Sequence, residues 1–404
     1  ADDGGIVHQM VFSTGCTTFQ DWQSYVFFFH ALQAGQPGQV TRIASGCTPK
    51  EAEELKQVFQ EQIAPMSDRF HLHLTPDFME IKPGMKYKFA NKPHGLKHWL
   101  EHALGYPNSN THDDDIVILL DPDQMLLRRL TSNFESSVVD WKPTRDRQTS
   151  ITRVEHGFPA GQLYGFGAQW KTKVNVAHVA GPNSPIEDVT LQEARDHYPL
   201  GPPYMATAKD MYKIAEKWCE FLPKVHDNYP HLLAEMFAYS LAAAHNRLPH
   251  QIAKSFMVSD PYSASEGWSL LDGIPNENLC QAAADRENVK MPYVMHYCQR
   301  YLLGKYFIGK YRLPKDFVSC SSPLLLEPPS DIAQRYNYSI APFQSERHYY
   351  SNPNHIRRHA FMLCTMIQGL NQASEYFKRN NCLGQDVNME KSLIFHDTIQ
   401  DEFD

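Results

Sequence analysis

The run Ile116-Val117-Ile118-Leu119-Leu120 passes directly into Asp121-Pro122-Asp123. β-Branched and leucine residues without a polar interruption leave no solvated face, the pattern of a strand buried on both sides of a parallel sheet. Pro122 has no N–H to give a sheet ladder, so the strand must stop there and enter a loop. Upstream, residues 6–12 read as a strand and Gln20–Leu32 as a helix, followed by the turn Gly35-Gln36-Pro37-Gly38. Val40–Ala44 is a second strand ending at Gly46, and Glu51–Ile63 is a helix with apolar Leu55, Val58, Phe59 and Ile63. A further helix spans Leu96–Leu104. Strand, helix, strand, helix, strand specifies an open α/β sheet. No repeat period is visible, which excludes solenoids and propellers.

Residues 131–203 are rich in Pro, Gly and Asp and read as loops over the active face. Helices are expected over Asp210–Phe221 and Leu232–Asn246, with a short strand at Tyr293–Met295. Ser321–Ser330 looks like a linker, and Ile356, Ala360, Leu363, Ile367, Leu370 and Phe377 mark one face of a long helix. That face could meet its own domain or another subunit, and its own domain is the expectation.

The chain has 404 residues, 38 Lys+Arg against 46 Asp+Glu and a net charge of −8. It is long enough for a large core. Its acidity disfavours general nucleic-acid binding, which needs clustered cations. The same argument applies to a polybasic membrane patch. No apolar run approaches the roughly 20 residues of a membrane helix. The chain begins Ala1-Asp2-Asp3 without methionine, so an anchor or leader is expected to lie outside it. The cysteines, eight in number, form no CxxC pair, which excludes a zinc ribbon or thioredoxin motif. Buried cytosolic thiols remain the plain alternative to disulfides, while Asn337-Tyr338-Ser339 is a glycosylation sequon that leans toward the secretory route. Cys16 and Cys47 both follow early strands, and a bridge between them is expected.

Asp121 and Asp123 lie two positions apart at a strand end, so their carboxylates project to one side, roughly 6–7 Å apart along the chain. Ligands of open α/β sheets bind beyond the carboxyl ends of the strands. Carboxylate oxygens suit Mg²⁺ or Mn²⁺, which in turn would hold a diphosphate. The plain alternative is a pair of residues that only ends a strand. Asp113-Asp114-Asp115 reads as a solvated loop before it. His296 follows an apolar strand and precedes Gly304-Lys305 and Gly309-Lys310. An imidazole there could complete a metal site and a lysine after glycine could reach a phosphate, against a packed histidine as the plainer reading. His71 and His73 alternate on a strand and read as a solvated face. Glu235 sits in an apolar helix with Tyr239 one turn on, sharing its face. A carboxylate there must be paired or used, and a bond to Tyr, Arg or backbone is the structural alternative. Asn91-Lys92-Pro93 ahead of a helix offers an amide and a cation where anions bind, or a surface loop. Dinucleotide, P-loop and nucleophile-elbow glycine motifs are all missing from the sequence.

Taken together, several segments resemble the plant and algal peptidyl-serine α-galactosyltransferases and the related hydroxyproline O-arabinosyltransferases. They are Val11-Phe12-Ser13-Thr14-Gly15-Cys16 with Asp21-Trp22-Gln23, and Ala34 to Arg42. Asn91-Lys92-Pro93 with Trp99-Leu100, Leu120 to Asp123, Glu235 to Tyr239, and His296-Tyr297 continue the series. The likeness spans about residues 7–312. It implies a GT-A-type, Rossmann-like mixed sheet flanked by helices, as a catalytic domain over 1–312. A linker over 313–330 and a C-terminal helical extension over 331–404 would follow.

The resemblance further implies a UDP-sugar donor and transfer with retention to a serine or hydroxyproline hydroxyl in the Golgi or endoplasmic reticulum lumen. Asp121, Asp123 and His296 would hold Mn²⁺ or Mg²⁺, with Asp121 also at the donor, and Lys305 would meet the diphosphate. Ser13, Thr14 and Arg42 fall where such folds hold the nucleotide, and Asn91 and Lys92 match the next block. Glu235 would contact the donor sugar or the acceptor hydroxyl, as nucleophile, stabiliser or binder. Serine galactosyltransferases typically place Ala between the aspartates, where Pro122 stands here as in the arabinosyl branch. That branch typically has Glu where this chain has Asp121, so galactose and arabinofuranose both stay open. A fold that binds nucleotide or glycan without turnover is the alternative, and a metal-dependent hydrolase a third.

Overall fold

The computed structural model describes residues 5–134, 138–144, 153–284, 290–340 and 346–393. Part of the expected loop region (145–152) and the end of the expected C-terminal extension (394–404) lie outside them. Contacts group the chain into two compact units. The first takes the chain up to Cys16, then Pro37–Asp121 and Leu130–Phe256. The second takes Thr17–Gln36, Pro122–Arg129 and the chain from Met257 on. The grouping does not follow a cut at residue 312.

The first unit is an α/β layer built on a seven-stranded sheet. Its strands are β1 (His8–Gly15), β2 (Gln39–Ser45), β3 (Phe70–Thr75), β4 (Ile116–Leu120), β5 (Ala160–Leu163), β6 (Leu200–Thr207) and β7 (Gln251–Ala253), in the order β7-β5-β6-β4-β1-β2-β3. β3, β2, β1 and β4 run parallel, and β6 enters antiparallel between β4 and β5. The mixed sheet with flanking helices is the expected fold class. Every residue of β4 is buried, as its unbroken apolar run requires. Helices Asn91–Ala103, Ala208–Asn228 and Ala234–His245 cover the sheet, and Trp218, Tyr204, Phe237 and Tyr239 fill the core between them.

The region read as loops contains β5 and the start of β6. Gly201-Pro202-Pro203 masks β6, because proline normally argues against an inner strand. A register shift between Gly161 and Gln162, whose partners are Tyr204 and Gly201, accommodates the prolines in a bulge. Asp115 is not in a solvated loop: it is buried and accepts from Gln9 Nε2 at 2.9 Å and His112 Nδ1 at 2.8 Å. His73 likewise pairs with His98, Nε2 to Nδ1 at 2.9 Å.

The second unit packs helix Thr18–Gln33 against the long helix Pro353–Asn381. Trp22, Val26 and Phe29 of one share a core with Leu363, Ile367 and Leu370 of the other. A three-stranded sheet orders Met257–Val258, Val294–His296 and Gln124–Leu126, the last pair antiparallel. A hairpin, Tyr301–Leu303 with Tyr306–Ile308, follows. Leu324 and Leu325, inside the expected linker, are buried, and Asn371 bonds both backbone groups of Leu325 at 2.8 and 2.9 Å. Disulfides join Cys16–Cys47 in the first unit and Cys280–Cys364 and Cys320–Cys382 in the second. No helix among the described residues is long and apolar enough to cross a membrane.

Candidate functional site

β4 delivers Asp121 at the carboxyl end of the sheet in the first unit. Helix Asn91–Ala103 begins earlier than its apolar spacing suggested, so Asn91 and Lys92 belong to its first turn rather than to a preceding loop. Pro93 fits there, because first-turn N–H groups have no helical partner to lose. Lys92 Nζ stands 2.7 Å from Asp121 Oδ1 and 3.4 Å from Glu235 Oε2. Glu235 opens helix Ala234–His245, an end pinned by three bonds. Trp218 Nε1 donates to the Glu235 carbonyl at 2.9 Å, the Glu235 N–H donates to Tyr87 Oη at 3.2 Å, and Tyr87 Oη donates to the Leu232 carbonyl at 3.1 Å.

One lysine therefore serves two carboxylates in a dry place. Burial pushes the Glu235 carboxyl up to about 7, Lys92 opposing and Asp121 adding to the rise. Burial works against the Lys92 charge, but Asp121 and Glu235 prevail and hold its ammonium above the ordinary lysine range. Glu235 Oε1 is buried and has no hydrogen-bond partner among the described residues. Tyr239, expected on the same face, turns elsewhere: its hydroxyl meets His250 Nε2 at 2.9 Å and its ring stacks on Tyr204 at 3.9 Å.

In the second unit, antiparallel pairing of His296 with Gln124 sets Asp123 beside Tyr297, whose N–H donates to the Asp123 carbonyl at 3.1 Å. His296 Nε2 lies 3.2 Å from Asp123 Oδ1, and Lys310 Nζ lies 2.7 Å from Oδ2. Burial alone would raise the Asp123 carboxyl, but Lys310 and His296 hold it well below the usual carboxylate range. Burial disfavours the imidazolium of His296, yet the neighbouring Cys298 and Asp123 raise it well above the ordinary histidine value.

The remaining candidates fall into place separately. Ser13 and Thr14 sit at the carboxyl end of β1, and Arg42 of β2 donates from Nε to Thr14 Oγ1 at 2.9 Å. Asn91 Oδ1 accepts from the Phe78 N–H at 2.7 Å and so fastens a loop. Lys305 is exposed at the hairpin tip, 5.7 Å from the Tyr306 ring centroid. The lysine that meets Asp123 is Lys310. Both follow a glycine, and only hairpin register separates them: Leu303 pairs with Tyr306, which makes Gly304 (φ +58°) and Lys305 the turn itself.

No protein-family model matches the chain. It is 37% identical over 123 residues to a peptidyl serine alpha-galactosyltransferase of Arabidopsis thaliana, and the matched stretch is 30% of this chain. The chain spans 13% of the length of that curated relative. The resemblance read from the motifs is borne out over that stretch. Among solved structures, the galactosyltransferase LgtC with donor and acceptor sugar analogs aligns at TM-score 0.37 and 12% identity, over 72% of this chain and 87% of that one. The apo bifunctional glycosyltransferase WbbM aligns at 0.36 and 7%, over 74% and 47%. Scores this low say nothing by themselves about activity.

Proposed function

We propose that the chain is a metal-dependent, retaining glycosyltransferase of the GT-A type. It would move galactose or arabinofuranose from a UDP-sugar to a serine or hydroxyproline hydroxyl of a secretory protein. The observation that carries this reading is the chemistry gathered at Asp121-Pro122-Asp123. Asp121 ends the buried strand beside Lys92, which also holds Glu235, and Asp123 pairs with His296 and Lys310.

The donor set suits a hard divalent ion. Two ligands of one such ion lie roughly 3 Å apart when bonds are near 2.1 Å, and the 3.2 Å between Asp123 Oδ1 and His296 Nε2 fits. Asp121, Asp123 and His296 are the proposed ligands, Mn²⁺ or Mg²⁺ the proposed ion. When bound, the ion supplies positive charge to the leaving diphosphate. Lys310 beside Asp123, or Lys305 at the hairpin tip, adds a cation for the same diphosphate. Ser13, Thr14 and Arg42 are the proposed nucleotide contacts. Asn91 keeps its loop in place, and Lys92, paired with both Asp121 and Glu235, offsets the repulsion between them.

Glu235 is the proposed catalytic carboxylate. Its buried, unpartnered Oε1 is an acceptor that a sugar or acceptor hydroxyl would satisfy. With its proton affinity raised to about 7, it can hold or release a proton near neutrality. The disulfides support an oxidising compartment, for which the Golgi or endoplasmic reticulum lumen is proposed.

A UDP-sugar panel with Mn²⁺, offered to serine and hydroxyproline peptides, tests the reading. Transfer that disappears in Asp121→Ala and Asp123→Ala supports it. Undiminished transfer in either variant overturns the metal assignment, and nucleotide binding without turnover across the panel would leave a binding protein.

A further inference from the structure

The second unit contains a cavity of about 440 Å³ that none of the proposed metal, donor or catalytic residues line. That size is within the roughly 300–1,000 Å³ of small-molecule sites. Phe29, Met125 and Leu127 make an apolar floor. The wall is one stripe of helix Pro353–Asn381, where Thr365, Gln368, Gly369, Gln372, Tyr376 and Arg379 recur at helical spacing. The apolar stripe of that helix, with Leu363, Ile367 and Leu370, goes to the core instead.

Several features of the wall point to a ligand. Thr365 is 3% exposed, yet its Oγ1 has no hydrogen-bond partner among the described residues. A buried hydroxyl left this way is costly unless something reaches it. Gln33, Gln368 and Gln372 line the same space, each with an uncharged amide that both donates and accepts. The rings of Phe29 and Tyr376 stand 5.3 Å apart, inclined by 49°, an aromatic corner beside the amides. At Gly369 a Cβ would fall 2.6 Å from Met125 Sδ and 3.1 Å from His30 Nε2, so glycine lets helix and floor close up behind the cavity.

Neutral amides and a hydroxyl around an aromatic corner match a ligand with many hydroxyls on one side and C–H groups on the other. A phosphate-bearing ligand would want unopposed cations, whereas Arg379 at the rim is 4.0 Å from Glu375. We propose that this cavity is a saccharide-binding site, taking a neutral oligosaccharide with a ring face on Tyr376 and hydroxyls on Thr365, Gln368 and Gln372. The assignment does not rest on the transferase reading.

The test is titration of the intact chain with lactose, maltotriose and arabinotriose, by calorimetry and saturation-transfer NMR. At least one sugar is expected to bind. Tyr376→Ala should weaken it about tenfold, Tyr376→Phe should restore it, and the exposed-residue variant Gln372→Ala should weaken it several-fold. Asp123→Ala, which would abolish transfer, should leave this binding intact, so the two readings fail separately. Absence of binding by all three sugars overturns the proposal. So does binding that is indifferent to both Tyr376→Ala and Gln372→Ala.

Discussion

Lys92 Nζ and Asp121 Oδ1 stand 2.7 Å apart, with 12% and 18% of their side chains exposed. The same ammonium reaches Glu235, so removing it would strand two carboxylates rather than one. Breaking a buried pair from one side costs about 3–5 kcal/mol, because the surviving charge keeps its desolvation penalty. Lys92→Met should therefore lose stability of that order in urea unfolding of the metal-free protein. Adding Glu235→Gln should return part of it, since the two sites share one partner. A loss below about 1 kcal/mol would mean that water already reaches the cluster.

Glu235 gives a pH signature of its own. Its folded carboxyl titrates near 7 against an ordinary 4.5, so between those values the folded state keeps a proton that the unfolded chain releases. Stability then falls as pH rises through this window, by about 3 kcal/mol in all. Asp123 acts in the opposite sense and lower down: its depressed carboxyl adds stability that is lost as pH falls below the ordinary carboxylate range. The comparison to make is wild type against Glu235→Gln by denaturation at several pH values without metal. The difference between the curves should grow from about pH 4.5 to 7 and then level off. A flat difference would place the Glu235 carboxyl in solvent.

Cys16 follows β1 and Cys47 follows β2, and these strands are parallel neighbours, so their ends are brought together by the sheet. The bridge closes a 31-residue separation around residues assigned to both units. Replacing both cysteines by serine should cost about 2–4 kcal/mol, chiefly by freeing the unfolded chain. Equal stability of the reduced and oxidised wild-type protein, with loss of the bridge verified by mass spectrometry, would contradict it.

What was legible in the sequence follows the range of each signal. β4 and its acidic terminus are local patterns, and both are present where the residues place them. β6 was invisible because its prolines argue against a strand, and only its neighbour β5, by shifting register at Gly161, makes room for them. Asp115 read as solvated because nothing in its own segment reveals Gln9, more than a hundred residues earlier. Tyr239 shares a helical face with Glu235, but spacing cannot say that His250 takes its hydroxyl. The apolar face of the last long helix was clear, whereas its partner, helix Thr18–Gln33, lies at the other end of the chain. Periodicity reports that a face is buried and is silent about what buries it.

The choice between Lys305 and Lys310 turns on the same limit and gives the sharpest kinetic prediction. Lys310 contacts Asp123 Oδ2, while His296 approaches Oδ1, so the lysine and the imidazole take different oxygens of the same carboxylate. Burial opposes the Lys310 charge, yet Asp123 raises its ammonium above the ordinary lysine value, so it is cationic at neutral pH. A fixed cation next to a carboxylate proposed to hold the metal would act on charge developing in the leaving diphosphate of the proposed donor, a contribution worth roughly 10²–10³ in kcat when such a group is removed. Lys310→Ala should lower kcat by that order with little change in KM for the donor. His296→Ala should instead weaken Mn²⁺ binding, followed by the manganese paramagnetic resonance signal. Lys305→Ala should lower kcat less than Lys310→Ala, because Lys305 is exposed at the hairpin turn. The reverse ranking of the two lysines would show that the hairpin tip, rather than the base beside Asp123, receives the diphosphate.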